Sequence, residues 1–492
     1  MKTPIRTSLL PLAASLLAAL LLTACAAPEF HPPTLAVPAA YKEAQAPADV
    51  KIAPDGSRWK QARPAEQQPR GAWWLAFQDP VLSDLVDQAT RNNANLAQAA
   101  ARVKQARAIA GITEADLSPQ VGLAAGAQRS RASSQQAGLP DGTRAAPQTS
   151  YSAKLTASYE VDLFGRVSAS VAAARGDADT VQANFNSVLL SLQADVAQTY
   201  FRLRATDAEL ATLAQTVHLR EENVKVNQRR FDLGDIGEFD LSRAKTELST
   251  SRAEAIGLQR QRTSAEHGLA VLLGTPAASF AVSANPMENL ASLPSIPAGL
   301  PSTLLERRPD ITAAQRTMEA SNARIGVARA AMFPALDIGG SAGGVAGTFA
   351  NVFKLSGQSW LLGALLSMPV IDGGRNQANV TRSEAVLEES VAAYRQSVLV
   401  AFAEVEDNLA GLRILAEQAA EVDDAVLSAR RSAALAQKLY DAGRSSYLDL
   451  LDAQRNLSAV ERTAVQLRGS QAAVTVALIR SLGGGWANTQ QG

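Results

Sequence analysis

The stretch that decides the fold is RRFDLGDIGEFDLSRAKTEL at residues 229–248, because it returns as KLYDAGRSSYLDLLDAQRNL at residues 438–457. The offset is 209 residues, and at the same offset Val196 meets Val405, Leu203 meets Leu412, Asp240 meets Asp449, and Leu273-Gly274 meets Leu482-Gly483. A register held without gaps over about 80 positions marks an internal duplication. Upstream, Asn95 to Pro119 overlays Asp310 to Pro334 at an offset of 215, with Gly111 on Gly326 and Ala115 on Ala330. The change of offset falls in the loops between the two blocks. Each half therefore reads as helix, short β region, very long helix, turn and long helix.

The very long helices follow from a heptad seam. Every seventh residue gives Leu189, Val196, Leu203, Leu210, Val217, Val224 and Phe231 in the first half, and Val398, Val405, Leu412, Ala419, Val426, Ala433 and Tyr440 in the second. Apolar residues at that spacing are the mark of a coiled-coil seam. From Arg166 to Leu233 such a helix spans about 100 Å at 1.5 Å per residue, well beyond a globular helix. Gly234 and Gly443 then end the helices, and Leu241, Leu248, Ala255 and Leu450, Leu457, Ala464 carry a seam back in the antiparallel direction.

Between these helical blocks the period changes to two. Tyr151, Ala153, Leu155, Ala157, Tyr159 and Val161 alternate with Ser152, Lys154, Thr156, Ser158, Glu160 and Asp162. The expected partner strand is Val121 to Arg131, across a loop rich in Ser, Gln, Gly and Pro. The second half repeats the pattern with Leu336 to Gly343 and Trp360 to Val370. In all, strands are expected at about 120–132, 150–163, 335–344 and 359–370. Each has the 9–11 residues that a tilted strand needs to cross hydrocarbon, and Tyr151, Tyr159 and Trp360 are candidate membrane-interface aromatics. Four strands cannot close a barrel, and lipid leaves no partner for an open edge, so insertion requires oligomerisation; three copies around one axis supply twelve strands. The fold class expected is mainly α with a membrane β-barrel: long antiparallel coiled-coil helices forming an α-barrel tunnel, plus four strands per chain.

The N-terminus carries a leader. Lys2 and Arg6 precede an apolar stretch from Leu9 to Leu22, which fits a secretory signal peptide at 1–24. It runs into Leu22-Thr23-Ala24-Cys25, which looks like a bacterial lipobox, and Cys25 is the only cysteine in the chain. Lipid attachment at Cys25, as a diacylglycerol thioether with an N-acyl chain, follows, and several acyl chains hold a protein stably where one does not. No other cofactor is expected. Residues 25–70 are rich in proline and read as an extended tether. The remaining organisation is a first repeat at 71–285, a second at 286–486 and a tail at 487–492.

Composition excludes several classes of function. Lys+Arg and Asp+Glu each total 47, so nothing draws the chain as a whole to nucleic acid. Gly339-Gly340-Ser341-Ala342-Gly343 formally matches a nucleophile elbow, but no histidine follows His267 to serve it. His31 lies in the tether, His218 and His267 lie on long helices without metal spacing, and there is no nucleotide-binding glycine loop. The chain is not read as an enzyme, and no metal site is expected.

At this point the residues resemble a known family, the TolC-type outer membrane factors, and within it the NodT/OprM-like lipoprotein branch. Tyr159-Glu160-Val161-Asp162-Leu163-Phe164-Gly165-Arg166 and Met368-Pro369-Val370-Ile371-Asp372-Gly373-Gly374-Arg375 are similar to its strand-to-helix junctions. Gly299 to Ile311, with Leu304-Leu305-Glu306-Arg307-Arg308-Pro309-Asp310-Ile311 at its end, is the most specific string, and Leu482-Gly483-Gly484-Gly485-Trp486 closes the repeat domain. The resemblance implies a homotrimer in the bacterial outer membrane with a periplasmic helical extension. It implies docking to a periplasmic adaptor protein and an inner-membrane pump of the RND type, and efflux of small molecules such as drugs or metal ions.

It also implies a gate. Asp449 and Asp452 match the family's acidic gate positions and Tyr440 its latch tyrosine, while Arg243 stands opposite Asp452 in the repeat and is expected to pair with it between hairpins. Ser445 occupies a place where some relatives carry a latch arginine, with Arg444 one residue earlier. Gly234-Asp235 and Gly443-Arg444 are the expected adaptor-docking turns. Without the resemblance, Asp449 and Asp452 are also what a solvated helix start would carry to offset its dipole. Two other functions stand as alternatives: the exit duct of a type I protein secretion system, which keeps the whole architecture, and a structural helical lipoprotein of the envelope, which has no need for the four alternating strands or the acidic tips.

Overall fold

The computed structural model describes residues 30, 33, 37–38, 40–43, 71–140, 142–285, 294, 296, 305 and 307–484. The leader, Cys25, most of the tether, Gly299 to Leu304 and Trp486 lie outside the described residues. In chain order the principal elements are α1 (Pro80–Asn92), α2 (Ala94–Glu114), β1 (Gln120–Ser130), β2 (Gln148–Val161), α3 (Arg166–Asp232), α4 (Glu238–Leu272), α5 (Pro309–Ala330), β3 (Ala335–Ala346), β4 (Gln358–Ser367), α6 (Arg375–Asp441) and α7 (Tyr447–Ser481). The duplication is visible in the lengths: α3 and α6 have 67 residues each, and α4 and α7 have 35 each. Among the described residues no helix is long and apolar enough to cross a membrane.

The chain forms two compact units. The first comprises the described parts of Met1–Thr34, Arg102–Gln182 and Ala313–Tyr394. It contains one antiparallel sheet in the order β1-β2-β3-β4. Register fixes the faces. Leu123, Leu155, Ala342 and Trp360 lie in one row, Val121, Ala157, Gly340 and Leu362 in another, and Val161, Leu336 and Leu366 in a third. The opposite face takes Gly122, Thr156, Ser341 and Leu361 in one row and Ala124, Lys154, Gly343 and Ser359 in the next, polar in β2 and carrying a leucine in β4. Among the described residues nothing covers the apolar face: Leu123 is 79% exposed and Trp360 81%. The fourth strand stops at Ser367 instead of running to about 370, because Pro369 has no N–H to give a ladder.

Each β region hands the chain to a long helix through the same device. The Asp162 carboxylate accepts N–H bonds from Val167 and Ser168 at 2.9 and 2.8 Å, and that of Asp372 accepts from Gly374 and Asn376, both at 2.9 Å. These acids satisfy orphan donors at a helix start and face the positive end of its dipole. Hydrogen bonds from Ser168 hold Asp162 below its ordinary carboxylate value against its desolvation, and backbone bonds from Asn376 and Gly374 do the same for Asp372. Arg166 grips Glu160 with two hydrogen bonds, and Phe164 stacks on Phe333 with ring centres 5.0 Å apart. Deeper in the unit Gly176 on α3 meets Ala320 on α5, where an added Cβ would stand 3.0 Å from that of Ala320.

The second unit comprises the described parts of Leu35–Ala101, Ala183–Thr312 and Arg395–Gly492. Its core joins Trp73, Trp74, Leu82, Leu85 and Val86 to Val196, Tyr200 and Phe201 of α3, Leu269 and Leu273 at the end of α4, and Val476 and Ile479 of α7. Asp79 ties this core together: its carboxylate caps α1 through the N–H groups of Val81 and Leu82 and accepts the Tyr200 hydroxyl at 2.6 Å. Beside the core Asp207 is held by two guanidinium groups, Arg204 at 2.9 Å and Arg262 at 2.6 Å. Arg308, buried, reaches both Asp310 and Glu404, at 2.6 and 2.5 Å. Tyr41 is buried in this unit, and the N–H groups of Lys42 and Glu43 donate to Glu406 of α6 at 2.7 and 3.0 Å.

The seam behaves as the heptads require for only part of its length. Val196, Leu203, Val398 and Val405 are fully buried, but Leu210, Val217 and Val224 are only partly so. Toward the end of α3 the buried positions are Leu213, Arg220 and Asn227, seven residues apart and four out of phase with the predicted series. Two polar residues in a buried seam hide it from a search for apolar spacing.

At the C-terminal end of α4 the backbone turns at Gly274, with φ +66°, and a Cβ there would stand 2.3 Å from the Asn92 carbonyl oxygen. Gly274→Ala combines a left-handed backbone with a backbone collision and is expected to cost about 2 kcal/mol or more. Gly257→Ala, in mid-helix with open space around it, is expected to be neutral or to gain up to about 1 kcal/mol. Thermal unfolding of the two variants checks the contrast; equal effects would show that the Asn92 contact does not matter.

Candidate gate at the helix-hairpin turns

Both hairpin turns are built alike. In the first, Gly234 has φ +80°, its N–H reaches the Phe231 carbonyl at 2.9 Å, and the Asp235 N–H reaches that of Arg230 at 2.8 Å. In the second, Gly443 has φ +68°, its N–H reaches Tyr440 at 2.9 Å, and the Arg444 N–H reaches Leu439 at 2.8 Å. This is the Schellman closure, which satisfies carbonyls orphaned at a helix end and needs a residue without Cβ at its left-handed position. The predicted docking residues Gly234, Asp235, Gly443 and Arg444 are thus the four that make the two turns.

The helices leaving the turns start differently. Ser446 caps α7 in a reciprocal box: its hydroxyl accepts the Asp449 N–H at 3.2 Å, while the Asp449 carboxylate accepts the Ser446 N–H at 3.0 Å. Gly237 stands at the start of α4 and offers no side chain, so Asp240 has no such partner. The Ser446 side chain and backbone bonds hold Asp449 below the ordinary carboxylate value. Asp452 is 62% exposed, one turn on, with its carboxylate 3.7 Å from Arg455.

The expected pairing of Arg243 with Asp452 is not formed in this chain. Arg243 lies over the ring of Phe239 on its own helix, 4.8 Å from the centroid. Arg455 is the cation beside Asp452, and it also binds Glu247 of α4, its Nε donating to the carboxylate at 3.0 Å. The repeat placed Arg243 and Asp452 at matching positions, but matching positions are not contacts.

Tyr440 is where the two hairpins meet. Its hydroxyl accepts from Arg230 Nη1 at 2.9 Å and donates to Asn227 Oδ1 at 3.2 Å, and the same guanidinium carbon stands 5.4 Å from the centre of its ring. The ring also lies 5.9 Å from that of Tyr447, which is buried with Leu450, Leu451 and Ala244. A cation over an aromatic face and a charge-assisted hydrogen bond act together here. Sequence reading found Tyr440 and missed Arg230 and Asn227, because Arg230 faces Leu439 in the repeat and so carries no paired signal.

Tyr151, Tyr159 and Trp360 fall on the apolar face of the sheet, opposite Ala346, Ile338 and Ala342 respectively. Tyr151 also packs edge-on against Phe349 at 6.2 Å. Among the described residues no group of His, Cys, Asp or Glu is arranged to hold a metal ion. Cys25 lies outside the described residues.

An antiparallel sheet of membrane-crossing strands, apolar on one face and mostly polar on the other, carried on duplicated hairpins of 67- and 35-residue helices, defines an outer-membrane channel protein. The sequence profile of the family described as "Outer membrane efflux protein" matches residues 85–275 and 300–484. The pyoverdine export outer membrane protein OpmQ of Pseudomonas putida is 34% identical, over 99% of this chain and 98% of its own. The toluene efflux pump outer membrane protein TtgF of Pseudomonas putida is 32% identical, over 94% of both chains. Among solved structures, the open state of the MtrE outer membrane channel of Neisseria gonorrhoeae superposes with a TM-score of 0.79 at 26% identity, over 95% of this chain and 100% of that one. The chain belongs to the outer membrane efflux protein family, a family of channel and transport proteins. Its place is the outer membrane, with the helices on the periplasmic side, and its role is that of an exit duct for efflux.

Two measurements test the geometry of the turns. Tyr440→Phe and Arg230→Ala are expected to be non-additive in unfolding free energy, with a coupling of about 1 kcal/mol; additivity would mean that the hydrogen bond contributes nothing. Because Asp449 titrates below its ordinary value, its contribution to the α7 start is fully present above about pH 3.9 and lost only as pH falls through the lowered value. Hydrogen exchange of the first turn of α7 is expected to stay protected down to that range in wild type and to be unprotected at all pH values in Ser446→Ala.

Proposed function

We propose that the chain is one protomer of a homotrimeric exit duct, anchored by lipid on Cys25 and joined through a periplasmic adaptor to an inner-membrane pump of the RND type. The observation that carries this reading is the four-stranded sheet whose outer strands, β1 and β4, pair with nothing outside it among the described residues. An edge of unpaired N–H and C=O groups is untenable in hydrocarbon, and joining β1 of one copy to β4 of the next removes every edge when the ring closes. Three copies give twelve strands, in the size range of membrane barrels. The rows ending in Leu123, Trp360 and Leu366 then face lipid, Tyr151, Tyr159 and Trp360 serve as interface aromatics, and the Lys154 row lines the channel.

The names of OpmQ and TtgF point to small organic cargo, and this chain is assigned the same class, without a catalytic step or a resident cofactor: transport energy comes from the pump. The hairpin turns form the gate. Tyr440, Arg230 and Asn227 hold the two hairpins of a protomer together, and three-fold symmetry brings the exposed Asp449 and Asp452 of neighbouring copies into one acidic ring that favours cations. Arg243, unpaired with Asp452 within the chain, is available to the acidic ring of a neighbour, while Gly234-Asp235 and Gly443-Arg444 present the turns to the adaptor.

Single-channel recording of the purified lipidated protein in a planar bilayer tests this. Wild type is expected to give small, cation-selective pores that a trivalent cation blocks from the turn side. Asp449→Ala/Asp452→Ala is expected to lose the block. Pores that are blocked equally in both would displace the gate from these residues, and absence of pores would overturn the duct.

A further inference from the structure

Among the described residues Arg220 is the one large charged side chain that is fully buried, at 2% exposure, and it has few partners. Its Nη1 donates to Gln454 Oε1 at 2.8 Å, and its Nε has no partner among the described residues. No carboxylate lies within ion-pair distance among them: Glu247, the acid whose charge it feels, is held by Arg455. Gln454 cannot offer more, since its oxygen also accepts from Asn223 at 3.0 Å and its amide donates to Gln437 at 3.2 Å. Burial accordingly pushes the Arg220 guanidinium below its ordinary value.

A guanidinium has five donors and a charge, and removing it from water without an acceptor or a counter-ion costs several kcal/mol. Other buried arginines of the same unit show the usual remedy: Arg204 has Asp207, and Arg308 has Asp310 and Glu404. Arg220 instead borders a half-open cavity of about 350 Å³, lined by Thr216, Gln437, Gln454 and Ser458 and by the apolar Leu219 and Leu457. Glu461 is on the same wall, but its carboxylate is engaged by Arg430 at 2.7 Å. Thr216 donates to the Thr212 carbonyl at 3.2 Å and accepts from Ser458 at 3.1 Å across the cavity's edge, which uses both hydroxyl protons, whereas the Gln437 amide gives one N–H to Asp441 at 2.8 Å and has its other to spare.

From the buried, singly bonded guanidinium and the cavity it borders, we propose that this cavity between α3, α6 and α7 binds a small monovalent anion such as chloride. The anion supplies the missing counter-charge to Arg220, with the remaining N–H of the Gln437 amide as a further donor, and the space left over holds waters. Since α3 belongs to the first hairpin and α6 and α7 to the second, the bound anion bridges the two hairpins seven residues above the Asn227 contact to Tyr440. It stabilises this arrangement of the two hairpins independently of the acidic ring.

Bromide is the probe, because it mimics chloride and scatters anomalously. The full chain, purified in detergent, is melted across a bromide titration in wild type and in Arg220→Met. The methionine fills similar space without the unpaired charge, so the variant is expected to fold. Wild type is expected to gain about 2 °C or more in a saturating manner, and Arg220→Met to show no saturable gain. Crystals of wild type grown in bromide are expected to show an anomalous peak within hydrogen-bond distance of the Arg220 guanidinium. An equal response of the two proteins, or a bromide-soaked crystal with only water in the cavity, overturns the proposal; if Arg220→Met fails to fold, the crystal decides.

Discussion

A β-strand in hydrocarbon must find a partner for every backbone N–H and C=O, and the rest of this molecule is arranged around that demand. The chain satisfies it for the inner strands through a continuous register from β1 to β4 and leaves the outer edges of β1 and β4 unpaired among the described residues. Side chains obey the same solvent rule in reverse. Leu123, Trp360 and Leu362, which would be misplaced on a water-soluble protein, are exposed on one face, while Ser, Thr and Lys residues alternate with apolar ones in β2 to give the other face a polar character.

Duplication supplies the means to present two such hairpins of strands on two hairpins of helices. The copies keep their backbone devices, from Asp162 and Asp372 at the starts of the long helices to the Schellman turns at Gly234 and Gly443. They differ in side chains where the hairpins touch. Phe231 against Tyr440 and Arg230 against Leu439 turn a symmetric backbone into an asymmetric contact, with a hydroxyl on one hairpin and its hydrogen-bond partners on the other. At these two positions the copies diverge in groups that meet, which simple repetition cannot give.

Much of this was legible in the sequence, and the reasons are physical. Period two from Tyr151 to Val161 and heptads along α3 and α6 are direct imprints of solvent contact, and glycine at a left-handed position marks a helix end. The polar members of the seam were not legible. Arg220 and Asn227 occupy buried positions in phase with Leu213, yet a search for apolar spacing follows Val217 and Val224. Arg243 was matched to Asp452 through repeat alignment, whereas the actual neighbours were set by helix geometry: Phe239, one turn back, takes the guanidinium, and Arg455, one turn on, takes the acid. Asp449 closes its own helix start, as a carboxylate in the first turn of a helix is expected to.

The equal lengths of the paired helices, 67 with 67 and 35 with 35, make the chain its own ruler. Adding or deleting a single residue in one long helix would move its turn by about 1.5 Å and rotate everything beyond by about 100°. Tyr440 would then point away from Arg230, and the two mouths of one protomer would no longer lie level. Length variation in such a chain is confined to whole heptads, made in all four helices together, or to the loops outside them: the tunnel can be lengthened only in steps.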